Sequence, residues 1–387
     1  MSAETEQGAV TFGQPLIEEA SIAEVVDSLR SGWIGTGAKV ARFERMLADY
    51  ITVPDVCCVS SATAGLCLVL RALGIGPGDE VLMPSMTFAA TAQAVEYAGA
   101  VPVPVDSEPR TNLISLEAAE RAITPRTRAV LVVHLAGRPV DLEAAGRLGE
   151  RHDIQIVEDA AHAIGARFDG LPIGASGNPT VFSFDTSKNI TSITGGAVTA
   201  TDHALVARVR TMSQNGVDRS AWQRFSEDAP ADYDVVAPGF KFNMSDVHAA
   251  VALHQLPQLE RWTERRAALW HRYDRELSDL PLELPVPPTA RMRHARHLYQ
   301  VRVTDDAPLN RDELAAHLRA AGIGSGIHYR ALHLHSHFRE RYRLQARAFP
   351  VATDASRRLL SLPLHPGLSD DDHARVVAEL HASLEAQ

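Results

Sequence analysis

The sequence predicts a large doubly wound α/β domain followed by a smaller α+β domain. From residue 56 onwards, strand, loop and helix signals repeat along the chain. The apolar runs, such as 129–135 (AVLVVHL), do not alternate with polar residues, which indicates mostly parallel strands buried on both faces. A proline-rich run at 280–288 (LPLELPVPP) then breaks this pattern. We therefore expect a large α/β domain with an N-terminal arm over residues 1–255 and a small α+β domain over residues 256–387.

Apolar spacing, capping residues and turn residues predict the individual elements in order. The predicted helices are 16–30, 41–50, 61–75, 87–99, 114–123, 140–152, 203–215, a helix that begins at Ser245 and Asp246, 258–279, 311–323 and 371–386. The predicted strands are 56–60, one within 76–85, 100–106, 129–135, 154–161, a hairpin over 181–200, and 298–304. The polar composition of residues 216–238 predicts a long loop. Because no G-x-G-x-x-G follows the first strand, a dinucleotide fold is disfavoured.

Composition limits the class of protein. The chain has 387 residues, 45% of them hydrophobic, and a formal net charge of −10, which argues against nucleic acid and anionic membrane surfaces as partners. No signal peptide or membrane-spanning run is apparent, so we expect a cytoplasmic protein. Cys57, Cys58 and Cys67 lack zinc-site spacing and are expected to be buried thiols. We predict no metal, although the histidine-rich stretch 331–338 (ALHLHSHF) leaves that alternative open.

Lys188 is the most informative residue. Of 38 basic side chains, only Lys39, Lys188 and Lys241 are lysines. Lysine loses its proton and attacks carbonyl groups far more readily than arginine. Lys188 lies between an apolar run and a Gly195-Gly196 turn, on the predicted loop of a buried hairpin. An ordinary surface lysine is the alternative.

Other polar groups at strand ends fit one cofactor. Asp159 ends the run 154–159 and suits a protonated ring nitrogen, although a helix cap or a salt bridge is the alternative. Ser61–Thr63 begin a helix, where free N–H groups favour a phosphate or are simply capped. Ser183 adds a hydroxyl, while Phe88 and His162 suit the faces of a planar ring or ordinary structural positions. Together these groups point to pyridoxal 5′-phosphate (PLP) held by a lysine imine.

The motifs that contain these residues follow one another in a familiar order. They are SATAGL (61–66), GIGPGDEVLMPSMTF (74–88), VHLAG (133–137), VEDAAHAIGA (157–166), FSFDTSKNIT (182–191), GFKFNMSDVHAA (239–250) and GIGSGIHYR (322–330). This series resembles the DegT/DnrJ/StrS family of sugar aminotransferases from about Ile17 to the SLPLHP motif at 361–366. The resemblance implies a fold-type I PLP-dependent aminotransferase. It also implies a homodimer with shared active sites, and amino transfer from glutamate to a nucleotide-linked keto sugar.

The resemblance also implies roles for individual positions. Lys188 would form the imine, Asp159 would hold the ring nitrogen, and His162 would flank the ring with a part in catalysis. Ala62, Thr63 and Ser183 would hold the phosphate, Phe88 would contact the ring, and His134 would lie near the substrate. A dehydratase branch of the family has histidine at the position of Lys188, so the lysine favours transamination.

Two departures from the family pattern bear on the substrate. Many members read G-x-N-x-R-M where this chain has GFKFNM at 239–244. The K-x-N version, with the PSMT, EDAAHA and GIHYR motifs, is similar to the branch that aminates nucleotide-linked 4-keto-pentoses to 4-amino-4-deoxy-arabinose. We expect Lys241 and Asn243, which point the same way on an extended segment, to reach across the dimer interface toward cofactor phosphate or substrate diphosphate. Thr194 replaces a glutamate that many members carry, which loosens the substrate assignment.

The remaining substrate candidates lie in loops. Trp33, within the glycine-rich stretch 31–40, suits either a helix connector or a loop that faces a ligand. His328 and Tyr329 belong to the GIHYR motif and are expected to contact substrate. We thus predict amination of a nucleotide-linked 4-keto sugar, with a 3-keto-sugar or aminocyclitol aminotransferase, or a non-catalytic sugar-nucleotide-binding protein, as alternatives.

Overall fold

The computed structural model describes residues 8–218 and 232–385. Of the predicted polar loop 216–238, residues 219–231 therefore lie outside the described part. The helices are α1 (Glu19–Ser31), α2 (Ala38–Ile51), α3 (Ala62–Ala72), α4 (Ala89–Ala98), α5 (Leu116–Arg121), α6 (Leu142–His152), α7 (His203–Ser213), α8 (Asp246–Gln255), α9 (Leu259–Glu276), α10 (Arg311–Ala320), α11 (Ser336–Arg341), α12 (Pro350–Arg358) and α13 (Asp370–Leu384). The strands are β1 (Val56–Val59), β2 (Glu80–Pro84), β3 (Val101–Val105), β4 (Thr127–Val133), β5 (Gln155–Asp159), β6 (Arg167–Phe168), β7 (Leu171–Pro172), β8 (Thr180–Ser183), β9 (Gly196–Thr199), β10 (Leu282–Glu283), β11 (Met292–Arg293), β12 (Tyr299–Val303) and β13 (Leu359–Leu362).

The largest sheet has seven strands in the order β1-β9-β8-β5-β4-β2-β3. The pairs from β8 through β5, β4 and β2 to β3 are parallel, whereas β9 runs antiparallel to both of its neighbours. The chain turns outward from β2 to β3 and then crosses back to β4. That reversal leaves a crevice at the carboxyl ends of the strands, which is where ligands of such sheets bind.

Both faces of this sheet are covered, as the non-alternating strands predict. In β2, Val81 and Met83 belong to a core cluster with α3, α4 and α7, while Leu82 belongs to another cluster with α5 and α6. In β4, Val130 and Val132 likewise lie on the opposite face from Leu131. Each strand is therefore apolar on both sides, and the prediction of a mostly parallel, doubly wound α/β domain is confirmed.

A second sheet, β10-β12-β13, is antiparallel and packs with α10 and α13. Helix α9 contributes Leu259 and Trp262 to the core cluster beneath α2 and α8, but Leu269, Trp270 and Tyr273 to the cluster of the second sheet. Because α9 takes part in both cores, the division of the chain between residues 255 and 256 stays a prediction.

The long periodic elements are found where the sequence places them, within a few residues. The short ones were missed: α11, α12, the two-residue strands β6, β7, β10 and β11, and the buried strand β13. A two-residue strand carries no periodicity, and β6 forms its sheet with β7 and with β11, which lies more than one hundred residues away. Cys57, Cys58 and Cys67 are buried, as expected, and burial raises the pKa of each thiol.

Across residues 8–218 and 232–385, we find no helix with the length and apolar character needed to cross a bilayer.

Two helical glycines make a matched test of how tightly α3 packs on the sheet. A Cβ at Gly65 in α3 would lie 2.7 Å from a methyl of Val181, whereas a Cβ at Gly146 in α6 would meet nothing within 4 Å. We expect Gly65→Ala to cost about 1–3 kcal/mol by overpacking, and Gly146→Ala to add about 0.5–1 kcal/mol of helix propensity. Thermal unfolding of the cofactor-free protein measures both. A midpoint that rises with Gly65→Ala would refute the packing argument.

Candidate active site

A cavity of about 430 Å³ opens at the carboxyl edge of the large sheet. It brings together residues that are far apart in the sequence because β1, β2, β5 and β8 all end at this edge. The sequence-predicted residues that line it are Ala62, Thr63, Phe88, Asp159, His162, Ser183, Lys188, His328 and Tyr329. Thr194, the residue in place of the usual glutamate, also lines the cavity.

Asp159 ends β5 and is 6% exposed. One carboxylate oxygen accepts a hydrogen bond from the Thr91 hydroxyl at 2.9 Å, and the other accepts one from the Ala161 N–H at 3.1 Å. Burial raises the pKa of this carboxyl, against the opposing effects of Ala161, Thr91 and the Lys188 amine. Among the described residues, no arginine or lysine forms an ion pair with Asp159. A buried carboxylate without an ion pair suits a positively charged ligand atom.

Lys188 lies in the loop that joins β8 to β9, where its backbone N–H donates to the Asp185 carbonyl at 3.0 Å. Burial lowers the pKa of its amine, and the carboxylates of Asp159 and Asp185 oppose that shift. The amine thus loses its proton more readily than an exposed lysine does, as a nucleophile and a proton carrier must.

The N-terminus of α3 forms one end of the cavity and offers hydrogen-bond donors to an anion such as a phosphate. The Ser61 hydroxyl caps the helix by accepting from the Ala64 N–H at 3.1 Å, which leaves the N–H groups of Ala62 and Thr63 without intrahelical acceptors. The hairpin approaches this end closely: a Cβ at Gly196 would lie 2.8 Å from the Ala62 nitrogen. The glycine predicted as a turn residue therefore permits close packing of β9 against the helix start.

His162 and Tyr329 form one wall. The His162 Nδ1 accepts a hydrogen bond from the Ala136 N–H at 3.2 Å, so the ring proton is on Nε2, which lies 3.0 Å from the Tyr329 oxygen. Burial, with help from the Lys188 amine, lowers the pKa of His162 well below 6.5. Because the Nε2–H donates to Tyr329, the Tyr329 hydroxyl has its own proton to donate into the cavity. Phe88 is 58% exposed, and its ring centroid lies 5.6 Å from that of Tyr329.

His134 does not reach this cavity, and its assignment to the substrate is wrong. Its ring is fully buried behind the sheet. The Nδ1 accepts from the Val140 N–H at 3.0 Å, and the Nε2 donates to the Glu158 carboxylate at 3.0 Å. With both nitrogens used inside the protein, His134 is a structural residue.

Trp33, Lys241 and Asn243 lie elsewhere. They line a second cavity, of about 490 Å³, that has no lining residue in common with the first. Lys241 is exposed, and the Asn243 amide donates to the Thr36 hydroxyl at 2.5 Å. The structure thus separates the predicted site residues into two groups within one chain.

Several lining residues were missed by sequence reasoning: Phe12, Gln14, Thr91, Arg266, His297 and His365. Thr91 lies in the first turn of α4 and gives no signal apart from ordinary helix periodicity. Arg266 belongs to a helix rich in arginine, so nothing in the pattern distinguishes it from its neighbours.

No group of three or more histidine, cysteine or acidic side chains that could hold a metal ion is found in the described part of the chain.

Residues 15–381 match the model of the DegT/DnrJ/EryC1/StrS aminotransferase family. Solved structures agree over nearly the whole length. Spr1654 from Streptococcus pneumoniae, provisionally named a sugar aminotransferase, is 33% identical in its PMP-form, with a TM-score of 0.91 and coverage of 97% of this chain and 98% of that one. Its PLP-form is 32% identical, with a TM-score of 0.90 and the same coverage. DesV from S. venezuelae is 36% identical, with a TM-score of 0.86 and 95% of each chain covered.

The lowered pKa of Lys188 predicts its reactivity. Burial lowers the pKa of Lys39 as well, but hydrogen bonds to Asp27 and Glu24 outweigh that effect and raise it. The neutral amine, which attacks aldehydes, should therefore be present at a lower pH in Lys188 than in Lys39. We expect labelling with pyridoxal and borohydride to reach its plateau at a lower pH for Lys188, as measured by peptide mass spectrometry.

The variant Asp185→Asn sharpens this test. Removing a carboxylate that raises the pKa of Lys188 should move the Lys188 profile to still lower pH and leave the Lys39 profile unchanged. Coincident profiles for the two lysines in the unmodified protein would contradict the electrostatic assignment.

Proposed function

The chain belongs to the DegT/DnrJ/EryC1/StrS aminotransferase family and is a PLP-dependent sugar aminotransferase; from this premise, we propose that glutamate donates the amino group to a nucleotide-linked 4-keto sugar. A 4-keto-pentose is the favoured acceptor, and the product is a 4-amino-4-deoxy sugar nucleotide. The observation that carries the amino-transfer chemistry is the pairing, in one cavity, of a buried carboxylate without an ion pair and a lysine whose pKa is lowered, and the choice of acceptor rests on the motif at 239–244.

The residues of the cavity fit PLP. The buried Asp159 carboxylate suits a protonated pyridine nitrogen, and the Lys188 amine suits the aldehyde. The free N–H groups of Ala62 and Thr63, with the Ser183 hydroxyl, suit the phosphate. Phe88 and His162 would flank the ring. When bound, PLP supplies an electron sink that accepts the electron pair left as a C–H bond next to the amine breaks.

The chain's own residues would do the rest. Lys188, with its lowered pKa, removes a proton from Cα of the donor at Nζ and later delivers one to the sugar carbon. Thr91 and Ala161 donate hydrogen bonds to the Asp159 carboxylate and so favour its charged form, which would hold a protonated ligand atom by a charge-assisted hydrogen bond. The Tyr329 hydroxyl, fixed by His162 and kept protonated because burial raises its pKa, donates a hydrogen bond to an acceptor on the substrate. His328, whose pKa burial and Lys188 lower to about 4, contacts the sugar as a neutral group.

The choice of a 4-keto acceptor is supported by the K-x-N version of the motif at 239–244. The test is a panel of 4-keto-pentose, 4-keto-hexose and 3-keto nucleotide sugars, given to the PLP-loaded protein with glutamate, with the position of the new amine read by NMR. We expect kcat/KM for the 4-keto-pentose to exceed the others by about tenfold or more. Lys188→Ala, the matched control, should bind PLP and turn over neither substrate.

Different failures of this panel have different meanings. Higher kcat/KM for a 3-keto sugar would overturn the position of amination and favour the 3-amino-sugar alternative. An unchanged visible spectrum on addition of glutamate would instead overturn the choice of donor. Steady-state turnover by Lys188→Ala would remove that lysine from the mechanism.

We also infer that two copies of the chain share each active site. Trp33, Lys241 and Asn243 lie outside the cavity of Lys188, although the same ligand is expected to contact them. Apolar side chains are exposed beside their cavity: Ile34 is 53%, Val235 62% and Val236 56% exposed. Exposed apolar clusters of this kind suit a protein interface. A homodimer would bring the second cavity of one protomer to the first cavity of its partner.

Complementation between inactive variants tests this sharing. Lys188→Ala and the double variant Lys241→Ala/Asn243→Ala should each be nearly inactive. When the two are refolded together in equal amounts, half of the dimers carry one intact site, and activity should return to about one quarter of the native level. Lys188→Ala mixed with Asp159→Asn is the control, because both residues come from one chain's cavity and no intact site forms. Recovery in the control, or none in the first mixture, would refute a shared site.

A further inference from the structure

The cavity of Lys188 extends beyond the residues assigned to PLP. Its far wall contains Arg266 of α9, His297 from the segment before β12, Leu362 at the end of β13, and Leu364 and His365 from the segment that follows β13. None of these side chains has a role in the arrangement described so far. Among the described residues that line the cavity, Lys188 and Arg266 are the two that carry an amine or a guanidinium.

Arg266 is a buried cation without an anion. It is 3% exposed, and its Nη1 donates to the carbonyls of Leu364 at 2.7 Å and His297 at 3.4 Å. No carboxylate pairs with it among the described residues, and its Nε has no hydrogen-bond partner. Burial accordingly lowers its pKa to about 10, which still leaves it charged at neutral pH.

Arg210 shows what a neutralised buried arginine looks like in the same protein. Its guanidinium pairs with Glu44 at 2.7 Å and with Asp55 at 2.9 Å, and these carboxylates outweigh burial and raise its pKa. Arg266 has no such partners. Burying a charge without a counter-charge is costly, so an anion that reaches Arg266 gains a strong interaction.

His365 is a second unpartnered group on the same wall. It is 4% exposed, and neither ring nitrogen has a hydrogen-bond partner in the described part of the chain, although the Thr11 backbone lies close by. Burial and the charge of Arg266 lower its pKa to about 4, so the ring is neutral and has one N–H to donate. The imidazole of His365 therefore lies beside the Arg266 guanidinium on the same wall, and the Thr11 backbone is the nearest competing acceptor for its N–H.

We propose that Arg266 and His365 form a subsite that binds a carboxylate of the amino donor. This inference rests on the proposed function, because a donor amino acid always brings a carboxylate into the cavity. In the proposed arrangement, Lys188 reacts with the cofactor aldehyde and the N-terminus of α3 binds the phosphate. Arg266 is then the remaining cation of this cavity that can bind the donor carboxylate. The sugar nucleotide's diphosphate is assigned to Lys241 and Asn243 in the separate cavity that a partner protomer would supply, which leaves this end for the donor carboxylate.

The alternative is that Arg266 has a purely structural role and only donates hydrogen bonds to backbone carbonyls. Arg138 is an arginine of that kind. It is 8% exposed, donates to the carbonyls of Val286 and Pro287, and also has an unpartnered Nε. Arg138, however, lines a separate cavity of about 60 Å³ that has neither Lys188 nor Asp159 among its residues. It therefore serves as a control for the loss of a structural guanidinium.

The test measures binding of glutarate, a dicarboxylate without an amine, to the PLP-loaded protein by calorimetry. Arg266→Gln keeps a donor for the Leu364 carbonyl but loses the charge, and it should weaken glutarate binding about tenfold to a hundredfold. Arg266→Lys should recover part of this loss, and His365→Leu should weaken binding about threefold to tenfold. Arg138→Gln should bind glutarate as the unmodified protein does. Pyrophosphate, the probe for a diphosphate, should bind Arg266→Gln and the unmodified protein equally well.

Three results would overturn this subsite. The first is no glutarate binding by the unmodified holoenzyme, and the second is undiminished binding by both Arg266→Gln and His365→Leu. The third is a selective loss of pyrophosphate binding in Arg266→Gln, which would assign this end to the sugar nucleotide. If glutarate binds as expected and no keto sugar is aminated in the panel, the subsite stands and the proposed acceptor fails. If Arg266→Gln does not fold, His365→Leu and Arg266→Lys decide the matter.

Discussion

The burial of the Asp159 carboxylate next to the Lys188 amine is the constraint on which the site depends. Removing either group from water is unfavourable, and the protein compensates only in part, through the Thr91 hydroxyl and the Ala161 N–H. The pKa of the acid rises and that of the amine falls, each because burial disfavours its charged form. The cavity therefore favours a ligand that offers a cation to the acid and an electrophile to the amine, and PLP offers both.

The sheet makes this arrangement possible. Parallel strands bring the ends of β1, β5 and β8 to one edge, so a helix start, an acid and a lysine loop meet although they come from distant parts of the chain. The reversed strand β9 returns the chain along β8 and anchors the Lys188 loop at both ends. Gly196 lets that hairpin approach the start of α3, where a side chain would collide with the Ala62 nitrogen. The order of the strands and the close packing of the hairpin therefore determine which side chains meet in the cavity.

The distribution of charge divides the site into regions. The end of the cavity at the start of α3 offers backbone N–H groups rather than basic side chains, and the far wall has Arg266, which no carboxylate pairs with in the described part of the chain. The remaining basic candidate, Lys241, lies in a separate cavity next to exposed apolar side chains. The predicted ligand-binding residues thus fall into two sets within one chain, and the shared-site hypothesis would bring the two sets together across two protomers.

The sequence by itself determined the α/β class and the parallel sheet, because these depend on local periodicity, and the order of its motifs singled out Lys188 and Asp159 among residues that have other common uses. It also placed the helix that begins at Ala62, whereas the turn expected at Gly195-Gly196 is not found, because Gly196 is the first residue of β9. Only the tertiary structure decided that His134 points into the core, since the residue after a strand can face either side and the Glu158 and Val140 partners lie on the inner one. The same holds for Arg266. The sequence does not distinguish it from the other arginines of α9, and only the tertiary structure shows that it is buried and that no described carboxylate pairs with it. Contacts between distant segments decide such cases, and local patterns carry no information about them.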